Sequence, residues 1–366
     1  MDDQTLRNWP LDKLKFIHLE MGMQCNVRCS MCYQTDFSPN SRLSDAIWKE
    51  KMRPAYQTAD YLVIVGGEPT VIPSCRELVK LVTSEYPNLT LDMATNGLLF
   101  NGFWADMFLE HGHCINFSIH TTKPDLYPRI VQFGNLQKVI ENIDHVVQRK
   151  VETGSSLQIR TSVVVTNDTV LQIPDFILWS AEHGLDQVLI MTDQLGKFQD
   201  IPQAQVRDSI ERAYQIADAN PQIEVISLGD FDWYYASLHG LDSVRPRTSG
   251  SARRAPCPTA FDGIYVNDDG SAKPCCRSWY LYGNLNRQTL QEIWNSEAAY
   301  RFRRRMLKMD FRDCTVACDL NANPIDHRIA FLRKAYWVFR RNPRNALKKG
   351  MRKLGLTTAQ IKKRDS

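Results

Sequence analysis

The chain has 366 residues, of which 43% are hydrophobic and 23% are charged, and its net charge is +4. This composition supports a large core and more than one domain, and it excludes a disordered or fibrous protein. No apolar run reaches the roughly 18 residues of a transmembrane helix, and the amino terminus lacks a signal peptide, so we predict a cytoplasmic protein.

Six short β-rich segments alternate with helix-like segments between residues 15 and 220. The predicted strands are KFIHLEM (15–21), YLVIVGG (61–67), LTLDMAT (89–95), INFSIH (115–120), QIRTSVVV (158–165) and QVLIM (187–191). A helix is predicted over residues 135–150, where apolar residues recur at three- and four-residue steps. This alternation predicts parallel βα units in an α/β protein, and six units favour an open, partial barrel. Its functional residues are expected at the carboxyl ends of the strands.

The first predicted strand is followed by CNVRCSMC, in which Cys25, Cys29 and Cys32 have the spacing C-x3-C-x2-C. In a reducing compartment, clustered cysteines indicate ligands or catalytic groups rather than a disulfide framework. Structural zinc requires four closed ligands, and neither a His nor a fourth Cys is nearby in the sequence. Cys thiolates are the usual ligands of iron–sulfur clusters, and three of them leave one iron of a four-iron cluster open. An open coordination position is typical of a catalytic metal site.

Polar or glycine-rich residues lie at the ends of the following strands, where the barrel interpretation places a site. They are Gly66, Gly67, Glu68 and Pro69 (GGEP) after the second strand, Thr95 and Asn96 after the third, and Ser118 and His120 at the fourth, with Arg160 on the fifth. Each also has an ordinary structural interpretation. GGEP is compatible with a simple turn, Asn96 with an Asn-Gly turn, His120 with a structural histidine and Arg160 with an outward-facing strand residue.

Together these motifs resemble the radical S-adenosylmethionine (SAM) superfamily, whose signature is C-x3-C-x2-C after the first barrel strand. The resemblance covers residues 10–230 and implies a partial (β/α)6 TIM-like barrel. It implies that Cys25, Cys29 and Cys32 hold a [4Fe–4S] cluster whose open iron binds the amino and carboxylate groups of SAM. An electron from the reduced cluster then releases a 5′-deoxyadenosyl radical, which takes a hydrogen atom from the substrate. A low-potential electron donor such as a flavodoxin or ferredoxin is an implied partner.

The resemblance also implies roles for the residues at the strand ends. In the family, the GGEP segment (Gly66, Gly67, Glu68, Pro69) contacts the SAM amino group, and Glu68 can balance its ammonium charge. Thr95 and Asn96 correspond to contacts with SAM or substrate, Ser118 to a contact with the ribose or carboxylate, and Arg160 to a clamp on the SAM carboxylate. His120 stands where relatives often have Asp, which suggests a substrate-facing residue. The residue before the last cysteine is usually aromatic, and here it is Met31.

A second set of cysteines follows a Gly-, Ser-, Pro- and Arg-rich segment at residues 240–256. The set comprises Cys257, Cys275, Cys276, Cys314 and Cys318. NDDG (267–270) predicts a hairpin turn ahead of Cys275, and TLQEIWNSEAAYRFRRRML (289–307) is predicted to be helical.

This region resembles the SPASM/twitch extension of radical SAM enzymes, which carries auxiliary iron–sulfur clusters. The chain lacks the C-x2-C-x5 element and the last cysteine of the full pattern. The resemblance therefore implies a shortened site with one auxiliary [4Fe–4S] cluster, held by Cys257, Cys275, Cys314 and Cys318. Cys276 either replaces Cys275 as a ligand or is a thiol that donates a hydrogen atom to a substrate radical.

The carboxyl terminus is strongly basic, with thirteen Lys or Arg and one Asp in residues 328–366, so the rest of the chain is mildly acidic. This asymmetry argues against nucleic acid as a partner. Two interpretations of the tail remain open: a helix packed on the barrel, or a helix lying on an anionic membrane surface. We predict a barrel at residues 1–235, a linker at 236–256, a SPASM/twitch-like domain at 257–322 and the tail at 323–366.

The predicted function is that of a radical SAM oxidoreductase that abstracts hydrogen from a substrate C–H bond. A carbohydrate-like small molecule is the leading substrate class, with dehydrogenation or epimerisation as the outcome. A maturase of ribosomally synthesised peptides is the alternative enzyme. Such maturases often carry a peptide-binding domain before the barrel, whereas only about 14 residues precede the first predicted strand here. A non-catalytic metal-binding scaffold is the alternative from another class, and GGEP argues against it.

Overall fold

The computed structural model describes residues 1–32, 40–192, 200–245 and 256–314. Cys318 and the basic tail lie outside the described residues. The strands are β1 (Phe16–Glu20), β2 (Arg28–Cys29), β3 (Tyr61–Val65), β4 (Thr90–Thr95), β5 (Gly112–Phe117), β6 (Val131–Gln132), β7 (Gln158–Val165), β8 (Gln187–Thr192), β9 (Glu224–Ile226), β10 (Gly263–Val266), β11 (Ser271–Lys273) and β12 (Gly283–Asn284). The α-helices are α1 (Asp3–Arg7), α2 (Arg53–Tyr56), α3 (Pro73–Glu85), α4 (Phe103–His111), α5 (Tyr127–Ile130), α6 (Leu136–Thr153), α7 (Ile173–Glu182), α8 (Gln203–Ala219), α9 (Leu228–His239), α10 (Thr259–Asp262), α11 (Leu290–Trp294) and α12 (Glu297–Leu307).

One sheet of ten strands organises the molecule, in the order β12-β11-β10-β1-β3-β4-β5-β7-β8-β9. The six predicted strands are present as β1, β3, β4, β5, β7 and β8, and they pair in parallel. Helices connect them, as parallel pairing requires. The α/β prediction with a partial (β/α)6 barrel is therefore confirmed, and the carboxyl ends of the six strands lie at one edge.

The strands alternate between an apolar face and a more polar face. Ile17 and Leu19 of β1 and Leu62 and Ile64 of β3 are fully buried in one hydrophobic core with Leu78 of α3. Because successive side chains of a strand point to opposite faces, the intervening positions form the second face. That face carries side chains such as His18, Asn116, Arg160 and Ser162, which makes the inside of the barrel suited to a polar ligand.

Local sequence signals account for several element boundaries. Asn135 caps α6 by accepting a hydrogen bond from the Lys138 amide at 3.0 Å, and Gly154 ends the helix in the left-handed region. The NDDG segment forms the predicted hairpin turn between β10 and β11, with Gly270 at a φ of +78°.

Three features differ from the sequence prediction. A short strand, β9, adds to the edge beside β8. The predicted helix at 289–307 is two helices, because Ser296 caps α12 by accepting a hydrogen bond from the Ala299 amide. Helix α9 runs to His239, so the predicted boundary at residue 235 falls inside a helix.

The carboxyl-terminal segment joins the barrel sheet directly. Strand β10 pairs in parallel with β1, from Phe16 opposite Gly263 to Leu19 opposite Val266. The Trp294 indole nitrogen donates a hydrogen bond to the Pro10 carbonyl at 3.1 Å. These contacts make the extension a continuation of the barrel rather than a separate body. Within the described segments, no helix is long and apolar enough to cross a membrane.

Candidate active site at the carboxyl ends of the strands

The loop after β1 carries the first three cysteines and is held by backbone pairing. Strand β2, which contains Cys29, pairs antiparallel with β6, and the Ser30 amide donates to the Ile130 carbonyl at 2.8 Å. The Arg28 guanidinium donates to the carbonyls of Cys25 and Val27 at 2.8 and 2.7 Å. The Cys32 amide donates to the Cys29 carbonyl at 3.1 Å. The loop is therefore preorganised by its own backbone.

The three thiols of this loop are half-buried and lie within electrostatic reach of one another. Burial, together with the smaller effect of the neighbouring Cys32 and Cys25 thiols, raises the pKa of the Cys29 thiol to about 12. Among the described residues, no three His, Cys, Asp or Glu side chains are placed to hold a single metal ion. A four-iron cluster binds its ligands on different irons, so three thiols need not meet at one point to hold it.

The GGEP segment packs directly against the chain that leads into the cysteine loop. The Gly67 amide donates to the Gly22 carbonyl at 2.8 Å, and the Glu68 amide donates to the Gln24 carbonyl at 2.7 Å. A Cβ at Gly67 would lie 1.9 Å from the Gln24 carbonyl oxygen. The glycine is therefore required for this approach, and it brings the end of β3 beside Cys25.

Glu68 is a buried carboxylate that accepts four hydrogen bonds. One oxygen accepts from the Thr70 amide at 3.1 Å and from the Thr70 and Thr95 hydroxyls at 2.7 Å each, and the other accepts from the Asn96 amide at 2.6 Å. Burial raises the pKa of Glu68, and these donors oppose that rise. The carboxylate thus joins the ends of β3 and β4, and its predicted role in balancing the SAM ammonium charge stays a prediction.

Asn96 links this carboxylate to the cysteine loop. Its side-chain amide donates to the Asn26 side-chain oxygen at 2.7 Å, while its own oxygen accepts from the Leu98 amide at 3.0 Å. Both predicted residues of this turn, Thr95 and Asn96, are buried and engaged with Glu68. In this structure they position the loop that carries Cys25, and Asn26 is a residue that sequence reasoning missed.

Ser118 lies in a polar cluster between β5 and β7. The Asn116 amide group donates to the Ser162 hydroxyl at 3.1 Å, and the Ser118 hydroxyl lies 3.5 Å from both. The Asn116 side-chain oxygen is buried and has no partner. An unmet buried acceptor is rare in proteins, so this oxygen is available to accept a hydrogen bond from a hydroxyl, an amine or a water molecule. The alternation of polar and apolar residues in β5 and β7 is the sequence signal that could have identified Asn116 and Ser162.

His120 is buried, with a left-handed backbone at a φ of +63°. Its Nδ1 accepts a hydrogen bond from the Val164 amide at 3.4 Å, and its own amide donates to the Ser162 carbonyl. Burial lowers the pKa of His120 to about 4, so the imidazole is neutral at physiological pH. These contacts favour the structural interpretation of this histidine.

Arg160 is not brought together with the other predicted residues. It lies near the amino end of β7, opposite Gln187, the first residue of β8. Its guanidinium donates twice to the Gln187 side-chain oxygen, at 2.8 and 2.6 Å. Arg160 is also level with Asn116 of β5, and its role as a clamp on the SAM carboxylate stays a prediction.

The second cysteine set converges around β11 and the end of the described chain. Cys257 and Cys314 are buried, and Cys275 is half-buried. Ser278 forms an isolated antiparallel bridge with Cys314, and the Ser278 amide donates to the Cys275 carbonyl at 3.3 Å. Cys257 and Cys275 both lie within electrostatic reach of the Tyr282 hydroxyl. Three of the four predicted ligands are thus neighbours, and the fourth, Cys318, lies outside the described residues.

Cys276 is exposed, unlike its neighbours in this set. Cys75 and Cys114 are buried in α3 and β5, where cysteine acts as a small hydrophobic packing residue.

Two comparisons with protein families agree with this arrangement. The Radical SAM superfamily profile matches residues 19–179, and the SPASM iron–sulfur cluster-binding domain profile matches residues 257–319. The chain carries a radical SAM domain followed by a SPASM iron–sulfur cluster-binding domain. As a radical SAM protein with a SPASM domain, it uses a [4Fe–4S] cluster, SAM and auxiliary iron–sulfur chemistry, as the sequence motifs implied.

Curated relatives of this radical SAM protein include GTP 3′,8-cyclases. Those of Mesorhizobium japonicum and Sinorhizobium medicae are each 24% identical to it, over 219 and 217 residues. The matched region covers 56% of this chain and 64% and 60% of those two proteins. The chain therefore matches about three-fifths of the length of these relatives.

Solved structures with the same fold include Streptococcus suis SuiB bound to precursor peptide SuiA. It has a TM-score of 0.59 and 15% identity, over 86% of this chain and 73% of SuiB. Native anSMEcpe with bound AdoMet has a TM-score of 0.57 and 16% identity, over 90% of this chain and 98% of that one. At these identities the comparison establishes the fold.

Proposed function

We propose that Cys25, Cys29 and Cys32 hold the [4Fe–4S] cluster and that SAM binds between it and the strand ends. The observation that carries this proposal is the hydrogen bonding of the Gly67 and Glu68 amides to the Gly22 and Gln24 carbonyls. These hydrogen bonds hold the GGEP backbone next to the loop that carries the three thiols, which supports one site formed by both segments. When bound, the cluster and SAM supply a 5′-deoxyadenosyl radical that takes hydrogen from a substrate C–H bond.

The chain's own residues would orient the reactants. The unpartnered oxygen of Asn116 is suited to accept a hydrogen bond from a hydroxyl of the SAM ribose or of the substrate. Ser118 and Ser162 add two hydroxyls beside it. The Glu68–Asn96–Asn26 chain of hydrogen bonds would hold the cysteine loop at a constant distance from these groups.

For the substrate, we propose a polar small molecule with hydroxyl groups, of carbohydrate-like character, and an oxidoreductase outcome. The cluster of Asn116, Ser118 and Ser162 supports this class because hydroxyl-rich ligands need both donors and acceptors. The curated relatives act on GTP, which also carries a sugar, so a nucleotide is the closest competing substrate within this class. A precursor peptide is the second candidate, since the same fold serves SuiB.

We also propose one auxiliary cluster, held by Cys257, Cys275, Cys314 and Cys318, and a flavodoxin or ferredoxin as electron donor. The proximity of Cys257 and Cys275 at Tyr282, and of Cys314 to the Cys275 turn, supports the shared site. Exposure of Cys276 favours Cys275 as the ligand and leaves Cys276 as a thiol open to solvent.

The first experiment measures iron, sulfide and SAM cleavage in anaerobically reconstituted protein. We expect about eight irons per chain, four for each cluster, and formation of 5′-deoxyadenosine. Replacing Cys25, Cys29 and Cys32 with Ala should remove about four irons and abolish cleavage, while Cys75→Ala, at a buried packing cysteine, should retain both. Zinc in place of iron, without cleavage, would support the metal-binding scaffold instead.

The second experiment identifies the substrate class. Aminocyclitols and sugars, GTP, and short peptides are incubated with the reduced enzyme and SAM, and substrate-dependent 5′-deoxyadenosine is measured. Deuterium transfer from a labelled substrate identifies the C–H bond that reacts. Deuterium transfer from a peptide, and from none of the other substrates, would contradict the carbohydrate proposal and support a peptide maturase.

A further inference from the structure

Arg303 of α12 is a charged side chain with no exposed surface. Its Nε donates to the Ala260 carbonyl at 3.0 Å, one terminal nitrogen donates to the Trp294 carbonyl at 2.8 Å, and its guanidinium carbon lies 4.4 Å from the Trp294 ring centroid. The other terminal nitrogen, Nη2, is buried and has no hydrogen-bond partner. The position belongs to the buried stripe of α12, with Ala299, Phe302 and Met306.

No carboxylate in the described part of the chain forms an ion pair with this guanidinium. Burial lowers the pKa of Arg303 to about 10, so the side chain stays charged at neutral pH. A buried charge without a counter-ion costs several kcal/mol, which is why fully buried arginines are nearly always paired. Two carbonyl groups accept hydrogen bonds from the guanidinium, and the Trp294 ring contacts it. None of these groups carries the negative charge that would neutralise it.

A second orphaned group lies beside it. The Tyr282 hydroxyl is buried and has no hydrogen-bond partner, and it is within electrostatic reach of Arg303. The same hydroxyl is within reach of the thiols of Cys257 and Cys275. The geometry also connects Arg303 to the first of these cysteines: its Nε donates to the Ala260 carbonyl, and the Ala260 amide donates to the Cys257 carbonyl at 3.3 Å. Buried donors of this kind indicate an anionic acceptor.

We propose that the Arg303 guanidinium is the counter-ion of the auxiliary iron–sulfur cluster and that the Tyr282 hydroxyl donates a hydrogen bond towards its sulfur atoms. This inference rests on the proposed ligand set of Cys257, Cys275, Cys314 and Cys318. A cluster bound by four thiolates has a net negative charge, so it would provide the counter-ion for the Arg303 guanidinium. Both residues lie outside the cysteine motif, so they are electrostatic partners of the cluster rather than ligands.

The expected consequence is a higher reduction potential of the auxiliary cluster. Reduction adds one negative charge, and a nearby buried positive charge stabilises the reduced state more than the oxidised one. Hydrogen bonds to the sulfur atoms act in the same direction. The pair would thus make this cluster a better electron acceptor.

The test is a redox titration of the auxiliary cluster monitored by electron paramagnetic resonance. The full chain carrying Cys25→Ala, Cys29→Ala and Cys32→Ala is used as the background, so that only the auxiliary signal remains. In it, Arg303→Met should lower the reduction equilibrium constant by about tenfold, or 59 mV for a one-electron couple. Tyr282→Phe should shift the potential in the same direction by less, and Arg303→Lys should largely restore it.

The matched control is Arg301→Met, the same substitution on the same helix. Arg301 is exposed and pairs with Glu297 at 2.9 Å, so the potential should not change. An Arg303→Met potential equal to that of the control would overturn the inference. If Arg303→Met fails to bind the cluster, retention of both cluster and potential by Arg303→Lys supports the charge role. Loss of the cluster from both variants would assign Arg303 a packing role and overturn the inference.

Failure of the proposed function has a different signature. If the background protein itself contains no iron–sulfur cluster, the proposed auxiliary ligand set is wrong. If it contains the cluster and the Arg303 and Tyr282 variants leave its potential unchanged, the ligand set stands and the inference about these two residues is wrong.

Discussion

Buried polar side chains, rather than exposed ones, organise the candidate site. Glu68 is 1% exposed and receives four hydrogen bonds, and through Asn96 it connects β4 to the cysteine loop. A substitution that removes one acceptor oxygen here leaves a buried donor unpaired, which lowers the free energy of unfolding by about 1–3 kcal/mol. This makes single-atom changes informative.

Glu68→Gln replaces one acceptor oxygen with an amide group that faces donors. We expect the free energy of unfolding to fall by about 2–3 kcal/mol and SAM cleavage to decrease, because a donor at Thr95, Thr70 or Asn96 loses its acceptor. Thermal denaturation of the anaerobic protein measures the first effect. Glu77→Gln is the control, since Glu77 is an exposed residue of α3 paired with Lys49. Equal melting temperatures of the two variants would contradict the role assigned to Glu68.

His120 provides a pH-dependent test at the same scale. Its folded pKa is about 4 because of burial, below the ordinary value of 6.5. Between these values the unfolded chain binds more protons, so stability is lost as the pH falls from 6.5 to 4, by about 3 kcal/mol at most.

His120→Asn removes this titration while tolerating the left-handed backbone. The difference in melting temperature between pH 7 and pH 5 should be smaller in this variant than in the parent protein. The parent also contains His18, whose pKa burial lowers to about 4, so some of the slope will remain. An unchanged difference would show that His120 is not buried as a neutral group in the folded protein.

At the scale of elements, close backbone approach assembles the site. The end of β3 and the segment after β1 meet through two amide–carbonyl hydrogen bonds, and only a residue without a side chain fits between them. Strands β2 and β6 then pair outside the main sheet and hold Cys29. Local pairing of short segments thus determines where the cysteine loop lies.

Gly67→Ala should therefore separate β3 from the cysteine loop. Its Cβ would lie 1.9 Å from a backbone oxygen, so the loop must move, and we expect loss of most SAM cleavage with reduced iron content. Gly229→Ala is the control, because a Cβ there would meet only the Tyr214 hydroxyl at 3.6 Å, an ordinary contact. SAM cleavage and iron content are measured for both variants after identical reconstitution. Full activity in Gly67→Ala would refute the assigned geometry.

At the scale of the molecule, the barrel and the extension share one sheet. Strand β1 lies between β3 and β10, so neither of its edges is open. The Lys15 amide donates to the Asp262 carbonyl at 2.7 Å, and the Trp9 indole donates to the Phe261 carbonyl at the same distance. Removing the extension would expose a strand edge at the centre of the fold.

A chain ending at residue 245 should consequently be unstable or aggregate, because unpaired strand edges pair with other chains. A chain ending at residue 320 retains every described strand and is the control. Size-exclusion chromatography and limited proteolysis of the two proteins measure the difference. A monomeric, protease-resistant 1–245 fragment would show that the barrel folds independently.

Much of the fold was predictable from the sequence because strands, helices and turns each depend on residues that are close together in the chain. Short β-rich runs separated by helical spacing predicted the six parallel strands, and NDDG predicted the β10–β11 hairpin. Strand β9 was missed because three residues give no measurable periodicity. The break at Ser296 was missed because the apolar spacing continues across it.

The sequence by itself determined the chemistry: cysteine spacing and a glycine turn indicate a cluster and SAM, because ligand type and local spacing are covalent properties of the chain. Only the tertiary structure decided which polar residues share the site. It brought Asn26 to Asn96 across 70 residues and put Arg303 beside Tyr282, and it paired the Arg160 guanidinium with Gln187 of the neighbouring strand. Strand register and helix packing set these distances through contacts that are remote in the sequence, so no local pattern could have revealed them.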